Sequence, residues 1–101
     1  MPTAAPSLPD AFARQRFTPS KRVLCQEVAG EAVLLDLETE KYFGLNAVGL
    51  RVWQLLQQHD DPRKIFDVLA AEYAVGSGAL AADLQDLLER LRQAGLVSIR
   101  A

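Results

Sequence analysis

The apolar pattern of residues 32–56, AVLLDLETEKYFGLNAVGLRVWQLL, changes from a strand period to a helix period within one stretch. Residues 32–37 form an apolar run of strand length, the acidic residues around Thr39 indicate a turn, and residues 41–45 alternate between two faces. Asn46 follows at once and is a favoured N-cap, because its side chain can accept a hydrogen bond from the first helical turn. The stretch therefore predicts two strands that pass directly into a helix, so that sheet and helix share one core.

A further strand is predicted over residues 23–28, and Ala29 and Gly30 favour a tight turn before the next strand, which begins at Glu31. The three strands then follow one another through short turns, which is typical of an antiparallel meander. Because sequential strands usually lie side by side, residues 41–45 are expected at an edge of the sheet, with a partner on one side only.

Three helices are predicted after the sheet, the first of them starting at the cap described above. Asp61 followed by Pro62 is a strong start signal for the second helix. Leucines at helical spacing over residues 80–91 predict the last helix, and Gly95 is expected just beyond its end. Residues 96–99 are predicted to form either a short final strand or an extended tail. The fold class is therefore α+β and winged helix-turn-helix-like, a three-stranded antiparallel sheet followed by three helices.

The start of the chain has a different composition from the rest. Residues 1–19 hold four of the five prolines, among Ala, Ser and Thr and with little apolar periodicity. This composition predicts a flexible proline-rich arm. Residues 20–101 are then expected to form one folded domain, since a chain of 101 residues supports a single small core.

Composition also restricts location and cofactors. No apolar run approaches the ~20 residues that a membrane span needs, and the first residues lack the basic start and apolar centre of a secretory signal. We therefore expect a cytoplasmic protein with no membrane partner. Cys25 is the only cysteine and His59 the only histidine, so neither a disulfide framework nor a zinc site made by these two residues is expected. No cofactor and no metal site are predicted.

The residues do not indicate a catalytic site. His59 has no candidate nucleophile near it in sequence, and the chain has no glycine-rich phosphate loop, because residues 76–78 are too short to form one. The acidic residues of the turn around Thr39 are ordinary for a turn and too few for a defined metal loop. We therefore expect a binding module that is not an enzyme.

Three kinds of binding module remain open on the residues alone. A helix-turn-helix protein would read DNA with its last helix, but here that helix offers phosphates a poor surface, and no nucleic-acid partner is expected. Its charged residues are Asp83, Asp86, Glu89, Arg90 and Arg92. Alternatively, an extended peptide adds a strand to the free edge at residues 41–45 and lies against a neighbouring helix. The third class is a structural or oligomerisation module, either a monomer or a dimer joined through edge strands.

Two runs of sequence resemble a known family. They are LLDLETEKYFGLNAVGLRVWQLL and LLERLRQAGLV, and the resemblance covers residues 17–97. The family is the PqqD-like family, the recognition elements for precursors of ribosomally made, modified peptides. The positions that carry the resemblance are Asp36, Tyr42, Leu45, Asn46, Gly49, Trp53, Gly95 and Leu96.

The resemblance implies three strands, three helices and a non-catalytic peptide chaperone. Its partner would be the leader segment of a precursor peptide, which pairs as an extra strand with the third strand and lies against the third helix. Carried over by position, the strand contacts would be Lys41, Tyr42, Phe43 and Gly44. The helix contacts would be Leu84, Gln85, Leu88 and Arg92, although Leu84 and Leu88 also suit an ordinary core.

The resemblance also bears on the processing enzyme that would receive the precursor. The stretch LDLETEKYFGLN is more similar to stand-alone members paired with a lasso-peptide leader protease than to the proteins of pyrroloquinoline quinone synthesis. A radical SAM enzyme remains open as the partner. Because strand addition needs main-chain donors, a proline at Phe43 is expected to disturb the binding edge.

Overall fold

The structure is a computed structural model that describes residues 8–73 and 77–100. It confirms the predicted three-stranded sheet followed by three helices, and it adds a short helix and a second, two-stranded sheet. In chain order the elements are α1 (Asp10–Ala13), β1 (Arg16–Pro19), β2 (Val23–Val28), β3 (Glu31–Asp36), β4 (Tyr42–Leu45), α2 (Ala47–Leu56), α3 (Pro62–Glu72), α4 (Ser77–Gln93) and β5 (Val97–Arg100).

Strands β2, β3 and β4 form the antiparallel meander that the sequence predicts. The turn between β2 and β3 has Ala29 at φ 55° and Gly30 at φ 80°. Positive φ at both central residues is the geometry of a two-residue hairpin whose twist matches the strands. On the inner face of the sheet Leu34 is completely buried, whereas Leu24 and Tyr42 on the outer face are exposed. The sheet therefore has one face in the core.

The three long helices close the core over the inner face of the sheet. Asp61 caps α3 through its side chain, with Pro62 at the first position, as the sequence predicts. At the end of α4, Gly95 has φ 75°, and the Leu96 N–H donates to the Leu91 carbonyl at 2.9 Å. This is the expected glycine-terminated helix end. It turns the chain back into β5, so of the two predicted alternatives the structure contains the strand and not the extended tail.

The proline-rich arm differs from its prediction in its second half. Residues 1–7 lie outside the described residues, but β1 pairs antiparallel with β5, with Phe17 opposite Ile99. Phe17 has no exposed surface, and its ring centroid lies 5.2 Å from that of Phe12. Burying an aromatic side chain stabilises a fold by roughly 1.5–3 kcal/mol. The two aromatic residues therefore anchor a segment whose prolines suggested disorder.

Asp36 organises the turn between β3 and β4 from a buried position. Only 1% of it is exposed, and its Oδ1 accepts hydrogen bonds from the Glu38 N–H at 2.9 Å and the Thr39 N–H at 3.3 Å. The Arg22 guanidinium lies 3.8 Å from the same oxygen. The Glu38 N–H first, and then the Thr39 N–H and Arg22, hold the pKa of Asp36 below its ordinary value of 3.8.

Asp36→Asn is expected to lower the free energy of unfolding by an amount that depends on pH. A lowered folded-state pKa stabilises the fold above the ordinary value of 3.8, and this contribution is lost as the pH falls through the folded pKa. Urea denaturation of both proteins at several pH values measures the difference. We expect it to be constant above about pH 5 and to shrink below the ordinary pKa. A difference that stays unchanged in strong acid would contradict this role of the carboxylate.

Candidate functional site

Within residues 8–73 and 77–100, β4 pairs with β3 alone, so its outer edge presents main-chain groups that no other described strand binds. The Asp36 N–H donates to the Lys41 carbonyl at 3.0 Å, which fixes the alternation of hydrogen bonds along the β3–β4 ladder. In an antiparallel ladder, every second residue bonds to its neighbour and the residues between point away. Phe43 is therefore bonded to β3, opposite Leu34, whereas Tyr42 and Gly44 direct their N–H and C=O groups to the free edge.

This alternation changes the interpretation of a proline at Phe43. The Phe43 N–H faces β3, so the substitution would break the ladder inside the sheet and leave the free edge with its donors. The residues whose N–H groups can bond to an added strand are Tyr42 and Gly44. A proline at Tyr42 is the correct substitution for testing the edge.

An open groove of about 320 Å³ lies beside the free edge, between β4 and α4. Its floor is apolar and includes Val52 and Leu69, whose side chains belong to the core. The residues that line the groove are Phe43, Gly44, Leu45, Asn46, Val48, Gly49, Val52, Leu69, Leu80, Asp83, Leu84, Asp86, Leu87 and Arg90. A chain lying along the edge of β4 would thus have an apolar channel under every second side chain.

Charged side chains of both signs form the rim of the groove on α4. The Arg90 guanidinium carbon lies 5.4 Å from the centroid of the Phe43 ring, which is a cation–π contact. Arg90 also pairs with Asp86 at 3.7 Å, one helical turn earlier. Asp83 is exposed and lines the same rim. The rim therefore joins α4 to β4 across the groove and offers polar contacts above an apolar floor.

The corner between β4 and α2 sets the inner end of the groove. The Asn46 side chain accepts a hydrogen bond from the Gly49 N–H at 2.8 Å, which is the predicted N-cap. A Cβ on Gly49 would lie 3.1 Å from the Leu45 side chain. The glycine thus allows a close approach of the Leu45 side chain to the first turn of α2. Strand and helix consequently meet within one residue.

The predicted strand residues lie at the free edge in two orientations. Phe43 and Gly44 line the groove, whereas Tyr42 projects onto the outer face of the sheet and is 73% exposed. Lys41 is exposed and precedes β4 by one residue. Tyr42 is therefore placed to contact an added strand through its backbone, while Phe43 is placed to contact it through its ring.

The predicted helix residues divide between core and groove. Leu84 is 2% exposed and lies in the groove floor, but Leu88 has no exposed surface and belongs to the core. Gln85 does not line the groove. Arg92 also lies outside it and hydrogen-bonds to Glu89, with its Nε 2.9 Å from Oε1. Leu88, Gln85 and Arg92 thus lie outside the groove lining, and their contact with a leader peptide stays a prediction.

The groove face of α4 is displaced by one helical position from the predicted helix contacts. It is formed by Leu80, Asp83, Leu87 and Arg90, with Leu84 and Asp86 beside them. These residues recur at spacings of three and four, as the leucines of the core do. The mixture of apolar and charged residues at helical spacing is the sequence signal for a boundary between core and solvent, and sequence reasoning did not use it.

The described parts of the chain contain neither a candidate metal site nor a helix that could span a membrane. No three His, Cys, Asp or Glu side chains come together there in a way that could hold a metal ion. Among the described helices, none combines the length and apolar character needed to cross a membrane.

The fold and the groove define a class, a small α+β domain in which an open strand edge lies beside an apolar groove. The chain belongs to the PqqD family, because the model for that family, described as Coenzyme PQQ synthesis protein D, matches residues 31–97. No curated protein sequence matches the chain significantly.

Two solved structures resemble the chain over most of its length. The structure of TbiB1 in complex with the TbiA(beta) leader peptide is 39% identical in sequence, with a TM-score of 0.75, and the match covers 83% of this chain and 98% of that one. The structure of a lasso peptide synthetase B1 complexed with the leader peptide is 26% identical, with a TM-score of 0.68, and the match covers 82% and 98%. Both proteins were solved with a leader peptide bound.

Proposed function

We propose that this protein binds the leader segment of a ribosomally made precursor peptide and performs no catalysis itself. The observation that carries the proposal is the free edge of β4 directly beside an apolar groove. The leader adds as a further strand to this edge, which is β-augmentation. Its main chain bonds to Tyr42 and Gly44, and its side chains enter the groove next to Phe43.

The chemistry of the groove restricts the leader that it accepts. Since side chains of a strand alternate, every second residue of the added strand faces the groove floor. That floor is apolar, so these residues should be aliphatic or aromatic. Polar residues of the leader are expected next to the rim, where Asp83, Asp86 and Arg90 supply both charge signs. Main-chain bonds thus provide affinity, and the groove provides selection.

The bound leader is presented to a separate processing enzyme, which we propose is a leader protease of the lasso-peptide type or a radical SAM enzyme. The two similar structures support the peptide part of this proposal, since both contain a leader peptide. Holding the precursor beside the enzyme raises its effective concentration there. The protein acts in the cytoplasm, where ribosomes produce the precursor.

A fluorescence-polarisation titration tests the proposal. The probe is a labelled leader peptide from a candidate precursor, titrated with the full chain and then competed with unlabelled leader. We expect saturable binding that the competitor removes, and no such binding to a leader of scrambled sequence. If the folded protein binds no leader in the presence or absence of the processing enzyme, the proposed function is wrong for that precursor.

Arg90→Glu is expected to weaken leader binding about fivefold, because it removes the cation–π contact with Phe43 and adds a third carboxylate to the rim, together worth about 1 kcal/mol. The effect should be larger at low salt, where charges are less screened. The same titration at about 20 mM and about 500 mM salt measures it.

Arg92→Glu is the matched control, two residues beyond Arg90 and outside the groove lining. It breaks the contact with Glu89 and changes the net charge of the protein by the same amount. Leader affinity should stay within about twofold of the original protein, since long-range effects on exposed charges are screened. Equal effects of the two substitutions would show that net charge, and not the groove rim, controls binding.

A further inference from the structure

The sheet has a second free edge, formed by β2. The Leu37 N–H donates to the Arg22 carbonyl at 2.9 Å, in the same register as the β2–β3 ladder. The alternation of bonds then leaves Val23, Cys25 and Glu27 with their N–H and C=O groups directed away from β3. Within the described residues, β2 pairs with β3 alone. Such an edge is a template for another strand unless something covers it.

The β2 edge differs from the β4 edge in length and surroundings. It extends over six residues, whereas β4 has four. Beside it lies a shallow depression next to the end of α2, at the opposite edge of the sheet from the peptide groove. The residues that line this depression are Ser20, Lys21, Val23, Cys25, Glu27, Trp53, Gln54 and Gln57.

We propose that the β2 edge binds the β2 edge of a second copy of this chain, antiparallel and around a two-fold axis at Leu24. Residues opposite one another in an antiparallel pair lie on the same face of the sheet. The axis at Leu24 places Leu24 opposite itself on the outer face and Val23 opposite Cys25 on the inner face. It also brings Lys21, in the turn just before β2, across from Glu27. The edge is thus complementary to itself in both apolar character and charge.

The neighbouring register is less favourable. An axis at Cys25 would place Cys25 opposite itself, but it would also place the apolar Val23 opposite Glu27 and Leu24 opposite Gln26, and neither of these two pairs matches in charge or in apolar character. Lys21 and Glu27 are exposed, and neither takes part in an ion pair within the described residues. Both are therefore available for the second copy, and opposite charges directly across a strand pair are stabilising.

The paired copies would share one six-stranded sheet in the order β4-β3-β2-β2-β3-β4. The second copy's Val23 and Cys25 would lie over the depression beside Trp53, which removes their apolar surface from water. Both β4 edges remain at the outside of this sheet. The dimer and the proposed peptide site therefore use different edges, and this inference does not rest on the proposed function.

Sedimentation of the full chain over a range of concentrations tests the inference. We expect a monomer–dimer equilibrium. Glu27→Lys should raise the dissociation constant about tenfold, because two attractive pairs per dimer become repulsive. The charge-swapped variant with Lys21→Glu and Glu27→Lys should recover to within about threefold of the original protein. A chain that stays monomeric, a Glu27→Lys variant that dimerises normally, or a swap that fails to recover would overturn the inference.

Disulfide crosslinking tests the register. In a Cys25→Ser background, Leu24→Cys places two thiols across the axis at a Cα separation of roughly 4.5 Å, which permits a disulfide. Gln26→Cys lies two residues away on the same face and should crosslink far less. A Cys25 to Cys25 disulfide in the original protein, or a dimer that Tyr42→Pro abolishes, would overturn the inference. Leader titration of the Glu27→Lys variant separates this inference from the proposed function. The substitution should weaken the dimer and leave the affinity for the leader unchanged.

Discussion

Tyr42→Pro is expected to weaken leader binding by roughly tenfold to a hundredfold while the domain stays folded. The substitution removes an N–H group that points to the free edge, so a carbonyl of the added strand loses its donor. An unsatisfied group of this kind costs about 1–3 kcal/mol, which corresponds to the stated range. Tyr42 is the first residue of β4 and 73% exposed, a position at which a strand tolerates proline.

Two variants isolate the main-chain contribution in the same polarisation titration. Tyr42→Ala keeps the N–H and removes only an exposed ring, so it should retain most of the affinity. Cys25→Pro removes an outward N–H from the other edge of the same sheet, and leader affinity should not change. Circular dichroism and denaturation confirm that each variant is folded. If Tyr42→Pro is folded and binds the leader as tightly as the original chain, strand addition at β4 is wrong.

Leu88→Ala is expected to lower the free energy of unfolding by roughly 2–5 kcal/mol, the usual cost of truncating a fully buried leucine. Leu88 has no exposed surface and lies in the middle of α4. A domain of this size has only about 5–15 kcal/mol of stability, so much of it would be lost. The fraction that remains folded should still bind the leader, because Leu88 does not line the groove.

The neighbouring Leu87 supplies the matched comparison. Its side chain is half-buried and lines the groove, so Leu87→Ala should affect stability much less and leader affinity more. Denaturation measures the free energy of unfolding of both variants, and titration measures their affinity for the leader. We expect Leu88→Ala to lower mainly the stability and Leu87→Ala to lower mainly the affinity. If Leu88→Ala weakens binding by the folded protein more than Leu87→Ala does, the groove face of α4 is assigned wrongly.

Local signals were sufficient to predict most of the fold. The turn at Ala29 and Gly30, the Asn46 cap and the Asp61–Pro62 start are each determined by a few adjacent residues, and the structure has all three. The N-terminal arm was predicted less well, because its order depends on contacts far apart in sequence. Phe17 is buried by β5 and the helices, and no neighbouring residue in the sequence indicates this.

The candidate site was predicted as a region, and its details required the structure. Periodicity identified β4 and α4, but one helical position, about 100° of rotation, separates core from groove on α4. Leu87 and Leu88 are both leucines, so residue type could not distinguish them. The direction of the main-chain groups of Tyr42 and Phe43 depends on the register with β3, which sequence alternation leaves undetermined.

The β1–β5 pairing has a consequence for how this domain can be joined to other proteins. Arg16 lies opposite Arg100, so the start of β1 and the end of β5 lie one strand spacing apart, about 5 Å, with α1 and its buried Ala13 just before β1. Domains whose ends are neighbours tolerate insertion into another polypeptide and fusion at either end. The peptide groove is built from β4 and the long helices, away from this junction. We therefore expect that fusion of another polypeptide at this junction would leave the proposed binding edge of β4 unchanged.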